Sequence, residues 1–226
     1  MTLIFIRRSE HRGETKTGWL LSKHSFSFGD YVDKKHRNFG DLQVLNEDFI
    51  KPDTGFGMHP HDNMEIITIV LSGTLKHVDS LAHTQTLLPG DVQQITAGTN
   101  IQHGEYNASS TQQVHLLQIW IRPRKKGLKP RYSQRRLPPL LNQETLLAWE
   151  KKDGKTLQIE QHARISRALF DKEIRHTAQK QSYVFLIKGK IKIENEILLT
   201  GDAAGMHGTF TLQPQEKSDV IIIDVE

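Results

Sequence analysis

Val70-Leu71-Ser72-Gly73-Thr74-Leu75-Lys76 and Leu186-Ile187-Lys188-Gly189-Lys190-Ile191-Lys192 share one pattern: an apolar run, a glycine, and a return run. A strand that reverses at a glycine and pairs back on itself has this form. A second correspondence follows in each half, where Leu87-Leu88-Pro89-Gly90-Asp91 is answered by Leu198-Leu199-Thr200-Gly201-Asp202. Two features recurring in the same order imply a duplicated unit.

Outward from these turns the chain reads as short strands. Leu42 to Leu45, Ile66 to Leu71, Val114 to Ile121, Leu157 to Ile159, Tyr183 to Ile187, Lys190 to Glu194 and Val220 to Val225 are apolar runs separated by Gly, Pro, Asn or Asp. One helix is expected, near Gln143 to Lys152. The fold class is therefore all-β, a sandwich or barrel. A chain of 226 residues is long enough for two such domains. Arg122 to Arg136 carries eight Arg or Lys, two Pro and no acid, and reads as an extended, solvated connection. A nucleic-acid patch is disfavoured there because no aromatic ladder interleaves the charges. The expected domains are 1–129 and 130–226.

Composition narrows the chemistry. There are no cysteines, which excludes disulfides, thiolate metal sites and a Cys nucleophile, and there are 12 histidines. Any metal must be held by imidazole and oxygen. The net charge of +4 says little about partners. No apolar stretch approaches the ~20 residues of a membrane span, and the N-terminal run lacks a cleavage pattern, so the expected compartment is the cytoplasm.

In a strand, residues i and i+2 project from one face. His59-Pro60-His61 thus offers two imidazoles side by side, and His103-Gly104-Glu105 offers an imidazole and a carboxylate. If both pairs face the interior of one barrel, four donors converge and leave two positions of an octahedron open, an arrangement suited to non-haem iron or its first-row substitutes. Such pairs also arise by chance, as His77-Val78-Asp79 illustrates. His24, His77 and His115 lie among apolar runs and read as hydrogen-bonded interior or rim histidines. Gln118 and Trp120 alternate in a strand and face either a pocket or the core.

Gly57-Met58-His59-Pro60-His61-Asp62-Asn63-Met64-Glu65, with Gly73 beyond, resembles the first cupin motif. Gly90 through Gly98 to His103 and Asn107 resembles the second. More narrowly, His24-Ser25-Phe26-Ser27-Phe28, Gly55 to His61, Ala97-Gly98-Thr99, His103 to Asn107 and Gln118-Ile119-Trp120 resemble the pirin family of bicupins. The spacing from Gly98 to His103, and an acid at Glu105 rather than Glu65, match the pirin variant of the pattern. The resemblance implies two tandem jelly-roll cupin barrels with metal ligands His59, His61, His103 and Glu105, Glu65 being left a supporting residue. Anchored on the shared glycines, the second copy has Arg175, Thr177, Pro214 and Glu216 at the four ligand positions. That copy is expected to bind no metal there.

Bacterial pirins of this size are similar to quercetin 2,3-dioxygenases. The resemblance implies one divalent metal ion, iron(II) first and manganese, cobalt, nickel, copper or zinc also compatible. It implies a flavonol and dioxygen as substrates, with Glu105 as the catalytic proton acceptor. The alternative it carries is a redox-sensing regulator that acts through protein contacts.

Overall fold

The computed structural model describes residues 3–226, and apart from one 3-10 turn, Ser9–His11, its regular elements are all strands. Among the described residues no helix is long and apolar enough to cross a membrane.

The chain forms two compact units that exchange segments. One comprises Gly13–Pro138 and Lys151–Gln161; the other comprises the segment ending at Arg12, Pro139–Glu150 and His162–Glu226. The expected single cut at 129/130 does not describe this division. The first strand, Leu3–Arg7, pairs with Ala203–Pro214, far along the chain. Arg131–Arg136, read from its charge as part of a solvated connection, is an edge strand paired antiparallel with Asp91–Thr96. Main-chain groups make the ladder whatever the side chains are, and basic side chains on an edge strand discourage further pairing. Gln143–Trp149, expected to be helical, is also a strand, paired with Arg164–Phe170. Its partner strand and the complete burial of Leu147 and Ala148 override a helix-compatible local sequence.

In the unit containing Gly13–Pro138, two antiparallel sheets form a cupin barrel. One has the order Gly55–His61, Ile101–Asn107, Leu75–Asp79, Thr84–Leu87. The other runs Arg131–Arg136, Asp91–Thr96, Glu65–Ser72, Val114–Ile121, Leu42–Ile50, Leu20–His24, Gly13–Lys16. Glu65–Ser72 and Asp91–Thr96 lie inside this sheet, and all but the last two residues of the former are buried. That explains their apolar runs without alternation. Leu20, Ile50, Val70, Leu75, Leu87, Val114 and Leu116 form one core cluster, and Ile66, Ile95, Ala97 and Ile101 form another. The turn at Gly73 needs glycine: its φ is +80°, and a Cβ there would lie 2.5 Å from the carbonyl oxygen of Gln113.

The other unit is a second cupin barrel. Its sheet has the order Gln143–Trp149, Arg164–Phe170, Ser218–Val225, Ile174–Lys188, Ala203–Pro214, Lys190–Ile193, Glu196–Leu199. Val184, Leu186, Ile191, Leu198, Phe210 and Ile222 are among its core. Gly189, in the echoing turn, has φ +110° and packs against Ser218. Ile174–Lys188 spans in one strand what the first barrel divides into two. Arg175 pairs with Thr211 and Thr177 with Thr209, where in the first barrel His59 pairs with His103. Strand pairing therefore puts Thr211, rather than Pro214, at the place of His103. Counting from the shared glycine overshoots because the second barrel reaches this pairing in fewer residues.

Candidate metal centre

Gly55–His61 is the edge strand of its sheet, so the missing N–H of Pro60 costs no interior ladder bond. Pro60 pairs with Gln102, and His59 stands opposite His103. The three imidazoles of His59, His61 and His103 meet there. Their ring centroids are separated by 4.8 Å (His59 to His61), 4.5 Å (His59 to His103) and 4.9 Å (His61 to His103). One ring nitrogen from each lies within 4.8 Å of the others.

The protonation of these rings suits ligation. Burial, reinforced by the neighbouring His59, pushes the pKa of His61 down to about 4. Burial, with His59, His61 and His77 adding to it, pushes that of His103 down to about 2. Both rings are neutral at pH 7 and keep a lone pair to give. His59 Nδ1 donates to the carbonyl of Gly57 at 2.7 Å, which leaves its Nε2 for a metal. His103 is 1% exposed and neither of its ring nitrogens has a hydrogen-bond partner. A buried imidazole with no partner is anomalous in a finished core and expected in a metal site. The donor set fits a divalent first-row metal ion.

Glu105 is fully buried on the strand Ile101–Asn107, beyond a register shift that falls between His103 and Glu105. Its Oε1 accepts from Gln93 Nε2 and from Thr68 Oγ1 at 3.1 Å, and its Oε2 accepts from Gln118 Nε2. Burial raises its pKa to about 7, Asp48 adds to the rise, and the three donated bonds oppose it. In this arrangement its carboxylate groups within 4.8 Å with His77 and His103, not with His59 and His61. His103 is common to both groups. The four expected donors are thus brought together in two overlapping sets.

Glu65 stands apart from both sets. It is fully buried and accepts from Gln94 Nε2 at 2.6 Å and Thr96 Oγ1 at 3.1 Å. Asn107 binds the carbonyls of Ile50 and Gln112 and so closes a turn. His115 bonds to Glu47 and stacks on Phe49. Gln118 and Trp120 both line the cavity that opens on the imidazoles, and Trp120 packs edge-on against His61 at 4.8 Å.

That cavity has a volume of about 350 Å³. Leu20, Phe28, Phe56, Ile66 and Trp120 are among its apolar lining residues, and His24, Asn46 and Asp48 among its polar ones. His24 is fixed from both ends, Nδ1 by Asn46 at 2.8 Å and Nε2 by Thr15 at 2.8 Å. Sequence reasoning left Asn46, Asp48, Thr68 and Gln93 unassigned. Each lies in an apolar-rich strand, and a polar residue in such a run is the signal that could have found them.

Comparison with known proteins gives the family. Residues 6–121 match the family model described as Pirin, and residues 146–225 match that of the quercetinase C-terminal cupin domain. The chain is 36% identical over 229 residues to a quercetin 2,3-dioxygenase of Escherichia coli K12, covering 99% of each. It is 33% identical to a pirin-like protein of Caulobacter vibrioides, with 94% of this chain and 95% of the relative covered. A crystal structure of a bacterial pirin from Escherichia coli in complex with nickel(II) superposes with a TM-score of 0.93 at 35% identity, covering 98% of both chains. With both barrels and both family models accounted for, this chain belongs to the pirin family.

Proposed function

We propose that this chain is a metal-dependent dioxygenase that cleaves a flavonol such as quercetin with dioxygen. The observation that carries the reading is the convergence of His59, His61 and His103 in the lining of a largely apolar cavity. Its volume of about 350 Å³ falls within the range of small-molecule sites. Relatives named quercetin 2,3-dioxygenase, matched along nearly the whole chain, supply the substrate class.

His59, His61, His103 and Glu105 are the residues that would hold the metal. When bound, the ion supplies Lewis acidity and a meeting point for an ionised flavonol and dioxygen. The chain's own residues do the rest. Phe28, Phe56 and Trp120 enclose a flat aromatic substrate and exclude water from it. Glu105 accepts the proton of the flavonol 3-hydroxyl, while Gln93, Thr68 and Gln118 hold its two oxygens. Both atoms of dioxygen enter the ring-opened product, and the carbon that bore the 3-hydroxyl leaves as carbon monoxide.

The test is aerobic incubation of iron(II)-loaded or nickel(II)-loaded protein with quercetin. Metal-dependent loss of flavonol absorbance, with oxygen consumed and carbon monoxide released, is the expected result. No turnover by protein that carries one metal ion per chain would overturn the assignment and favour the redox-sensing regulator that the family resemblance also implies.

A further inference from the structure

The strand Leu75–Asp79 runs beside Ile101–Asn107, with Asp79 opposite His103 and His77 opposite Glu105. His77 is fully buried, and its ring centroid lies 5.5 Å from that of His103. Asp79 beside it is held on both oxygens. Oδ1 accepts the backbone N–H of Leu81 at 2.9 Å and of His83 at 3.0 Å. Oδ2 accepts from His77 Nε2 at 3.0 Å and from His83 Nδ1 at 3.0 Å.

An ionised carboxylate only accepts, so the ring proton of His77 sits on Nε2 and its Nδ1 presents a lone pair. That Nδ1 is buried with no hydrogen-bond partner, and so are both ring nitrogens of His103. A ring nitrogen of His77 and one of His103 lie within 4.8 Å of each other. A ligating imidazole gives one nitrogen to the metal and donates the N–H of the other to a fixed acceptor. His59 has such an acceptor in the carbonyl of Gly57. His103 has no such acceptor among its hydrogen bonds, and Nδ1 of the neighbouring His77 is bare as well.

We propose that Asp79 and His77 form a relay that positions His103: Asp79 sets the tautomer of His77, and His77 Nδ1 accepts the N–H of His103, fixing which of its nitrogens faces the metal. The proposal rests on the reading that His59, His61 and His103 hold a metal. His77 is then a positioning residue that touches neither substrate nor ion. The motif that looks like a chance pair in the sequence thereby acquires a task.

The test uses the full chain, with nickel(II) affinity read by chelator competition and cobalt(II) visible absorption as the signature of ligand geometry. Asp79→Asn is close to isosteric. The backbone N–H groups of Leu81 and His83 keep its carbonyl oxygen where Oδ1 stands, so its amide N–H faces His77. The ring proton of His77 is then driven to Nδ1, and the nitrogen that the relay uses as an acceptor becomes a donor. Asp79→Asn and His77→Phe should bind nickel(II) about 10–100-fold more weakly and shift the cobalt(II) bands. His77→Gln, whose amide oxygen can accept, should recover most of the affinity.

An Asp79→Asn protein that melts like the wild type and binds nickel(II) as tightly overturns the relay. In the unmodified chain, two-bond proton–nitrogen correlation spectra should show His77 protonated at Nε2 and bare at Nδ1, and the opposite tautomer overturns it without any variant. Wild-type protein that takes up no nickel(II) overturns the metal reading and the relay with it. Wild-type uptake that His61→Ala abolishes upholds the metal reading, so that unchanged binding by Asp79→Asn then counts against the relay alone.

Discussion

His103 stands directly opposite His59 in an antiparallel strand pair, with their ring centroids 4.5 Å apart. Imidazoles from two strands distant in sequence thus meet across the ladder, while a third, His61, joins from two residues beyond His59. The depth of the three differs: His103 is buried, and His59 and His61 are half-buried.

That difference separates two variants. His61→Ala should drop metal content from one ion per chain to none with little change in melting temperature of the metal-free protein. His103→Ala should lose the metal too, and should also melt earlier because it empties a buried site. Elemental analysis beside thermal unfolding checks both; metal retained by either variant contradicts the ligand assignment.

Gln118 donates to one oxygen of the buried Glu105 and lines the cavity. Gln118→Leu keeps the volume and removes the donor, so a buried acceptor loses its partner. The expected cost is about 1–3 kcal/mol, read as a lower urea midpoint for the metal-free chain. An unchanged midpoint would show that the carboxylate is satisfied some other way.

Gly73 offers a backbone test with an internal control. Gly73→Ala must place a methyl group 2.5 Å from a backbone oxygen at φ +80°, and should destabilise by about 1–3 kcal/mol or more. Gly57→Ala, on the ligand-bearing strand, meets nothing within 4 Å and has no positive φ. Denaturant unfolding should leave the second near wild type.

In the second barrel His176 is almost fully buried between Asp224, at 2.9 Å from Nε2, and Glu144, at 2.8 Å from Nδ1. Ser182 also donates to Asp224, and Arg164 reaches Glu144 at 3.5 Å. Desolvation lowers the pKa of the ring, but the bonds to Asp224 and Glu144 outweigh it and raise the value to about 9 from its ordinary 6.5. A raised folded-state pKa stabilises fully below the unfolded value, and the contribution fades as pH climbs through 9. A rise of this size corresponds to about 3 kcal/mol. Wild-type stability should therefore fall between pH 6.5 and about 9.5 by more than that of His176→Gln, whose curve lacks this component. Parallel curves would refute it.

Much of this was legible in residue order. Glycines at 73 and 189 announced two barrels because only a positive φ lets those turns close. The skip-one pairs at 59/61 and 103/105 marked candidate donors because strands alternate. Local signals failed where a partner strand decided the outcome. Gln143–Trp149 has residues a helix accepts, and Arg131–Arg136 has charges a linker accepts, yet both are held by ladders to segments remote in sequence. Register defects were equally invisible. The shift between His103 and Glu105, and the different count of residues in Ala203–Pro214, change which side chains meet without leaving a mark in composition.

The exchange of segments between the two units bears on how the chain can be divided. A cut at 129/130 would part Arg131–Arg136 from its partner Asp91–Thr96, and would part Leu3–Arg7 from Ala203–Pro214. Each fragment would carry an orphan strand and expose an unzipped edge where the other half once belonged. Neither barrel can be released intact by a single scission, so the half with the candidate metal centre cannot be isolated by one cut.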